Sequence, residues 1–278
     1  MKKDILKRLI VATSVVLAST SIIGFSETKV HANTEDKAKI KEKQDQFNVP
    51  PLNPELFEKV KDTTKSPYSS VGTVFVKGQT IATGVLIGRN TVITNSHVAT
   101  YAKKDPSKVI FTPGTTITED GKQNIPYGRF EAEDINEAPY DGGVDLAIIK
   151  LRANENGQSA GDLISPAQIP DNVDVQKGDE ISLIGYPSNY SPHSQYRSTI
   201  EVFNSLLGQY FGYTEEGNSG SGIFNLDGEL VGLHVGKGGQ YNLPIGLFFN
   251  KPLGSPYSVD QQPTTLGKDL KKRAEMQG

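Results

Sequence analysis

A serine in a loop of glycines is the best-placed nucleophile in this chain. The loop runs from Gly217 to Gly222 and contains Ser219, and the apolar segment that follows turns at Asp227-Gly228. An Asp-Gly pair between apolar segments predicts a β-hairpin, so the loop leads into strands. Glycines let backbone amides approach a bound group, and a serine hydroxyl needs a base before it can attack a carbonyl. By itself, the loop is equally consistent with a plain glycine-rich turn.

Two other residues would supply the base and the acid that such a serine requires. His97 follows the apolar segment Thr91–Thr94, and Asp145 opens the apolar segment that ends at Leu151. A charge on a buried strand is costly without a partner, and an imidazolium would be one. Taken singly, the histidine would more often be a packed strand-end residue, and the alternative for the aspartate is a cap for local amides. Taken together, a base, an orienting acid and a serine indicate acyl-transfer chemistry.

Composition excludes several classes of protein. The chain has 278 residues, a net charge of −3 and no cysteine. The near-balanced charge lacks the basic excess that is typical of nucleic-acid-binding proteins. The lack of cysteine excludes disulfides, thiolate zinc sites and a cysteine nucleophile. No two histidines beyond the N-terminal segment share a local motif, so we expect neither a metal site nor a cofactor.

Short apolar segments separated by turn residues predict two groups of strands. The first group is Gly72–Val76, Thr80–Ile87, Thr91–Thr94, Val109–Phe111, Arg129–Ile135 and Asp145–Leu151. The second group is Glu180–Gly185, Ser198–Phe203, Tyr210–Thr214, Gly222–Phe224, Glu229–Val235 and Asn242–Phe248. We therefore expect an all-β fold of two barrels or sandwiches. A cleft between the two units would bring the serine to the histidine and the aspartate.

The ends of the chain predict a leader and helices. Residues 1–32 have a basic start, an apolar stretch and a small-residue cleavage pattern, which are typical of a secretory signal peptide rather than a membrane anchor. We expect a solvated charged helix at 34–47, a short helical piece at 54–60 and a terminal helix capped by Thr265. The resulting division is signal peptide 1–32, helical extension 33–65, first β unit 66–155, second β unit 156–258 and C-terminal helix 259–278.

Several motifs carry a family resemblance. They are Val74–Thr80, Ala82–Gly88, Thr94–His97, Asp105–Val109, Gly143–Ala147, Leu183–Pro187, Gly217–Phe224 and Gly228–Gly232. These motifs, and the order His, Asp, Ser, resemble the staphylococcal exfoliative (epidermolytic) toxins, in the glutamyl endopeptidase branch of the chymotrypsin-like serine peptidases. The resemblance implies two six-stranded β-barrels with a charged N-terminal helix and a C-terminal helix. It also implies a secreted toxin that cleaves after glutamate in a host desmosomal cadherin, desmoglein-1, so that epidermal cells lose adhesion.

The resemblance further implies catalytic roles. His97 would be the general base and then the general acid, and Asp145 would hold its tautomer and stabilise the imidazolium. The nucleophile would be Ser219 rather than Ser221. The backbone amides of Gly217 and Ser219 would form the oxyanion hole, where one donor is typically worth about 10²–10³ in turnover.

The resemblance also implies a specificity pocket for glutamate, lined by Thr214, His234 and Lys237. A hydroxyl, an imidazole and an ammonium group together suit a buried carboxylate. Without the resemblance, His234 would be a plain strand-end residue and Lys237 a solvated charge. Glu215 and Glu216 depart from the family pattern, and their carboxylates would either repel an acidic substrate or point outward.

Two other differences from the sequence pattern of related peptidases concern activation and the histidine motif. Asn218 stands where digestive enzymes have an aspartate that pairs with a freed N-terminus, so we expect no zymogen activation by that route. Ser96 stands where arginine is common. The resemblance also leaves open whether the oxyanion-hole peptide rests in an unproductive orientation.

Two alternatives remain at this stage. One is a glutamyl endopeptidase of broad specificity. The other is a protease-fold binding protein that no longer cleaves, against which the intact His97, Asp145 and Ser219 argue. For the leading hypothesis we expect a secreted, extracellular monomer that acts on a protein substrate and neither binds nucleic acid nor inserts stably into a membrane.

Overall fold

The computed structural model describes residues 34–47, 53–140 and 143–278. The predicted signal peptide lies outside these ranges. The chain first forms α1 (Thr34–Phe47) and then β1 (Phe57–Lys59). None of the helices in these ranges is long and apolar enough to span a bilayer.

The next part of the chain folds into a closed antiparallel barrel. Its elements are β2 (Val71–Val76), β3 (Thr80–Leu86), β4 (Thr91–Thr94), α2 (Ser96–Ala99), β5 (Val109–Pro113), β6 (Thr116–Ile117), β7 (Gln123–Asn124), β8 (Phe130–Asn136) and β9 (Ala147–Leu151). The barrel order is β2-β3-β4-β9-β8-β5, and β6 and β7 pair outside it. In β8, Phe130 and Ala132 are buried while Glu131 and Glu133 are exposed. This two-residue period is that of a strand with one face on the core.

A second antiparallel barrel follows. Its elements are α3 (Ala160–Leu163), β10 (Glu180–Gly185), β11 (Tyr196–Asn204), β12 (Gln209–Phe211), β13 (Gly222–Phe224), β14 (Leu230–Gly238) and β15 (Leu243–Phe248). The order is β11-β10-β13-β14-β15-β12, and pairing of β12 with β11 closes the ring. Strand β1 pairs with the first residues of β11, where β12 does not reach.

The segment 54–60, expected to be helical, instead contains strand β1, so that prediction is wrong. Phe57 is buried, with 5% of its surface exposed, and stacks on Tyr196 at 4.8 Å between ring centroids. Tyr190 and Tyr213 complete the aromatic cluster around Phe57. Pairing with β11 together with this packing outweighs the helix propensity of so short a segment.

Both terminal helices dock on the barrels. The chain ends with β16 (Pro252–Leu253), β17 (Thr264–Thr265) and α4 (Leu266–Met276), and Leu266 and Leu270 of α4 are buried. Thr265 takes the N-cap position of α4, but its side chain makes no capping hydrogen bond. Helix α1 is largely solvated, although Phe47 at its end packs on Phe211 with ring centroids 6.2 Å apart.

The two barrels share one hydrophobic core along their seam. It includes Val85 and Ile93 from the first barrel and Ile184 and Leu233 from the second, and α4 packs against the same cluster. Each barrel also has a core of its own. The fold implied by the resemblance, two six-stranded barrels with a helix at each end, is confirmed.

Candidate active site

Asp145, His97 and Ser219 form one hydrogen-bonded chain across the seam between the barrels. Asp145 Oδ2 lies 2.7 Å from His97 Nδ1, and His97 Nε2 lies 3.0 Å from Ser219 Oγ. A carboxylate can only accept, so His97 Nδ1 carries the proton and donates it. Nε2 is then the acceptor, and the Ser219 hydroxyl donates to it. The three residues singled out in the sequence are therefore brought together in one arrangement.

The first barrel fixes the histidine and the aspartate relative to each other. His97 lies in α2 directly after β4, Asp145 precedes β9, and β4 and β9 are paired. The His97 amide donates to Asp145 Oδ1 at 3.0 Å, and Asn95 Nδ2 donates to the Asp145 carbonyl at 3.0 Å. The Ser96 hydroxyl donates to the Leu146 carbonyl at 2.8 Å. Ser96 thus joins the segment that carries His97 to the segment that carries Asp145.

Two glycines allow the serine loop to pass close to neighbouring backbone. Gly217 has a φ of +89°, and a Cβ there would lie 2.3 Å from the Tyr186 carbonyl oxygen. Gly220 has a φ of +81°, and a Cβ there would lie 2.1 Å from the Thr83 carbonyl oxygen. Other residues rarely adopt such φ values, and neither position has space for a side chain.

Asn218 closes the serine loop on itself. Its Oδ1 accepts from the Glu215 amide at 2.9 Å, and its Nδ2 donates to Ser221 Oγ at 3.2 Å. The side chain is buried, with 2% of its surface exposed. The loop is therefore held by its own residues.

Thr83 on β3 connects the first barrel to the serine loop, and sequence reasoning missed it. Its amide donates to the Ser219 carbonyl at 2.9 Å, and its hydroxyl donates to the Gly217 carbonyl at 2.8 Å. The same hydroxyl accepts from the Tyr186 amide at 3.1 Å. Nothing in the spacing of the sequence points to a threonine in the middle of a strand.

The peptide between Glu216 and Gly217 is turned toward Ser188, another residue that sequence reasoning missed. The Glu216 carbonyl accepts from the Ser188 amide at 2.7 Å and from the Ser188 hydroxyl at 2.9 Å. In a trans peptide the next N–H points the opposite way, so the Gly217 amide faces away from Ser188. Within the described ranges neither the Gly217 amide nor the Ser219 amide donates to a protein acceptor. Two unengaged N–H donors thus lie in the same loop as Ser219.

Thr214 and His234 are both buried next to this loop. The Thr214 hydroxyl oxygen is shielded from solvent and has no hydrogen-bond partner among the described residues. The His234 amide donates to the Ser221 carbonyl at 2.9 Å, and its carbonyl accepts from the Gly220 amide at 3.0 Å. His234 therefore holds the serine loop through its backbone, which leaves its imidazole for other contacts.

Strand β14 continues beyond His234, so the expectation that His234 ends its strand is wrong. A β-bulge between His234 and Gly236 keeps β14 paired with β15, and the strand carries exposed Lys237. Burial, with smaller contributions from Lys237 and His97, lowers the pKa of His234 to about 3. The imidazole of His234 is therefore neutral near pH 7.

The side chain of Glu216, which precedes Gly217 in the serine loop, is exposed.

Comparisons with known proteins agree with this architecture. Residues 82–233 match the trypsin-like peptidase domain. The chain is 45% identical to exfoliative toxin A of Staphylococcus aureus over 233 residues, which cover 82% of this chain and 83% of that protein. It is 34% identical to a Staphylococcus aureus glutamyl endopeptidase over 183 residues, 64% of this chain and 54% of that protein.

A solved structure supports the fold alone. The structure of a Glu endopeptidase has a TM-score of 0.54 and 21% sequence identity, and the match covers 69% of this chain and 89% of that one.

The match to the glutamyl endopeptidase sequence spans about half of that protein's length. The family model and the toxin relative each cover more than half of this chain. The chain therefore belongs to the trypsin-like serine peptidases, in the glutamyl endopeptidase branch that contains the exfoliative toxins.

Proposed function

We propose that this protein is a secreted serine endopeptidase toxin that cleaves its substrate after glutamate. The observation that carries the proposal is the hydrogen-bonded chain from Asp145 through His97 to Ser219. The side chain of His97 is 47% exposed, so a polypeptide can reach it.

The chemistry follows from the hydrogen-bond directions. Ser219 Oγ attacks the scissile carbonyl while its proton passes to His97 Nε2, and Asp145 stabilises the imidazolium that forms. The tetrahedral oxyanion accepts from the amides of Gly217 and Ser219. His97 then protonates the leaving amine, which departs and leaves an ester on Ser219. Water attacks that ester, with His97 again the base, and releases the acid product.

Glutamate specificity rests on the chemistry of three residues, of which Thr214 and His234 lie next to the serine loop and Lys237 lies farther along β14. Thr214 provides a buried hydroxyl that has no partner among the described residues, His234 a buried neutral imidazole, and Lys237 an exposed ammonium group. A carboxylate that leaves water needs such donors, because burial without them is costly. Because Glu216 is exposed, its carboxylate is not a fixed wall of this pocket.

The test uses purified protein, wild type and Ser219→Ala, with peptides that differ only in glutamate, glutamine, aspartate or lysine at the cleaved position. We expect the wild type to prefer glutamate and Ser219→Ala to be inactive. Lys237→Gln should reduce kcat/KM for glutamate about tenfold and leave glutamine cleavage nearly unchanged, since only the charged pair is lost. Lys251→Gln is the matched control, because Lys251 is an exposed lysine after β15. Equal cleavage of all four peptides would contradict the pocket, and an active Ser219→Ala would contradict the nucleophile.

For the physiological substrate we propose a host desmosomal cadherin, desmoglein-1, whose cleavage would loosen epidermal adhesion. The support is the resemblance to exfoliative toxins, of which exfoliative toxin A is the relative at 45% identity. Incubation with the desmoglein-1 ectodomain, followed by mass spectrometry, should give a single cut after glutamate that Ser219→Ala does not make. Cleavage of many unrelated proteins would favour a broad glutamyl endopeptidase instead, which the relative at 34% identity keeps as the second candidate.

We further propose that the protein is a monomer, which sedimentation would test.

A further inference from the structure

The two ring nitrogens of His234 have different surroundings. Nδ1 lies 2.5 Å from the hydroxyl oxygen of Tyr210. Among the described residues this is the one hydrogen bond of the His234 ring, so Nε2 has no partner there. The side chain is buried, with 3% of the residue's surface exposed. One nitrogen is thus engaged by the protein, and the other is left for a ligand.

The second barrel is built so that Tyr210 can reach this histidine. Tyr210 lies on β12 and is completely buried in the core of the second barrel, among residues such as Ile223. Strand β15 runs between β12 and β14, and its Gly246 pairs with His234. A Cβ on Gly246 would lie 2.6 Å from Ile223 Cδ1 and 3.3 Å from the Tyr210 ring. The missing side chain at position 246 therefore makes room for Ile223 and the tyrosine ring that reaches His234.

The direction of the Tyr210 hydrogen bond follows from burial. Burial raises the pKa of Tyr210 well above its usual value, so the hydroxyl keeps its proton. Within the described ranges His234 Nδ1 is the partner of this hydroxyl. If Nδ1 carried a proton and donated, the tyrosine proton would be buried without an acceptor, which is unfavourable. Tyr210 is therefore the donor and Nδ1 the acceptor.

We propose that Tyr210 is a positioning residue that fixes His234 as the tautomer with its proton on Nε2. His234 then offers the pocket a neutral N–H donor and no acceptor. This inference rests on the proposed glutamate pocket, because it explains how that pocket tells a carboxylate from a carboxamide. A carboxylate only accepts, whereas the amide nitrogen of glutamine requires an acceptor. The opposite tautomer would supply such an acceptor at Nε2.

Removing the hydroxyl should therefore weaken selectivity more than it weakens catalysis. In Tyr210→Phe the imidazole is free to adopt either tautomer. We expect the ratio of kcat/KM for glutamate to that for glutamine to fall about tenfold, as one hydrogen bond is worth about that factor. The control is Tyr140→Phe, which removes another buried hydroxyl, one that donates to Asp269 at 2.8 Å. It should keep the wild-type ratio.

Nitrogen NMR of the histidine rings separates this inference from the proposed function. In the wild type we expect His234 Nε2 to resonate as a protonated nitrogen and Nδ1 as an unprotonated one, with a mixture in Tyr210→Phe. A wild-type spectrum with the proton on Nδ1 would overturn the inference, even if the enzyme prefers glutamate and even if Tyr210→Phe fails to fold. The expected spectra together with no preference for glutamate would keep Tyr210 as the positioning residue and overturn the pocket.

Discussion

The Thr83 hydroxyl of the first barrel donates to the Gly217 carbonyl of the second barrel at 2.8 Å. Thr83 is completely buried, and it also donates its amide to the Ser219 carbonyl. The nucleophile loop is thus held by the barrel that carries His97 and Asp145. These two bonds help His97 and Ser219 to keep hydrogen-bonding distance across the seam between the two barrels.

Replacing Thr83 by valine tests that connection. Valine keeps the shape of threonine but leaves the Gly217 carbonyl and the Tyr186 amide without a partner. Each buried group left unsatisfied costs about 1–3 kcal/mol, so two such groups should cost about 2–6 kcal/mol in the free energy of unfolding. We also expect kcat/KM to fall by about tenfold or more as the loop loosens. Urea unfolding and peptide cleavage measure the two effects.

Thr83→Ser is the matched control, because it keeps the hydroxyl and removes a methyl group. It should cost about 1 kcal/mol of stability and change kcat/KM by less than about threefold. A Thr83→Val protein as active as Thr83→Ser would show that the bond to Gly217 does not position the loop.

The two bonds from Ser188 to the Glu216 carbonyl predict a smaller effect on catalysis. Ser188→Ala removes the bond from the hydroxyl at 2.9 Å and keeps the one from the amide. The peptide that presents the Gly217 amide then becomes less firmly oriented. A lost hydrogen bond is worth about 1 kcal/mol, so kcat should fall about fivefold with little change in KM.

Ser191→Ala is the control for this change, since Ser191 lies in the same loop and its hydroxyl bonds to the His193 amide instead. We expect it to retain wild-type kcat. Equal kcat values for the wild type, Ser188→Ala and Ser191→Ala would mean that the amide of Ser188 is sufficient to hold the peptide.

The sequence predicted the strands well because most of them carry a simple pattern. Short apolar segments and the turn residues between them located all six strands of each barrel to within a few residues. The pattern failed at 54–60, where a three-residue strand is held by aromatic packing from elsewhere in the chain. It also failed at His234, where a β-bulge lets the strand continue. Both errors concern tertiary contacts that no local pattern records.

The residues of the candidate site were likewise predicted only in part. His97, Asp145 and Ser219 were found because their residue types suggest chemistry and they lie beside apolar segments. Thr83, Ser188 and Tyr210 were missed because they act through ordinary side chains whose partners are distant in sequence. Thr83 and Gly217, for example, are 134 positions apart. Only the folded chain gives such residues a role.

Replacing Asp145 by asparagine separates the tautomer of His97 from the shape of the site. The asparagine oxygen can still accept from the His97 amide, but its nitrogen would donate to His97 Nδ1. The imidazole proton then moves to Nε2, which can no longer accept from the Ser219 hydroxyl. We expect kcat to fall by about 10⁴ while the free energy of unfolding changes little. Asp134→Asn, an exposed carboxylate on β8, should leave kcat unchanged, and an Asp145→Asn enzyme with comparable kcat would refute the assigned role.

The lowered pKa of His234 predicts a pH dependence of stability. A free histidine has a pKa of 6.5, whereas burial, with Lys237 and His97, lowers the pKa of His234 to about 3 in the folded protein. Above pH 6.5 the residue is neutral in both states. As the pH falls below 6.5, the unfolded chain binds a proton that the folded chain refuses, so the folded state loses stability until about pH 3. One proton corresponds to about 1.4 kcal/mol per pH unit.

His234→Gln removes this proton uptake from the unfolded chain. Between pH 6 and pH 4 the free energy of unfolding of the variant should therefore fall less steeply than that of the wild type, by about 1.4 kcal/mol per pH unit. Urea unfolding at several pH values measures the slopes. His193→Gln is the comparison, because partial burial and then Arg129 lower the pKa of that histidine too, and it lies in a more open loop, so the change in slope should be smaller. Parallel curves for the wild type and His234→Gln would show that His234 takes up its proton in the folded protein at ordinary pH, and the neutral donor assigned to the pocket would then be wrong.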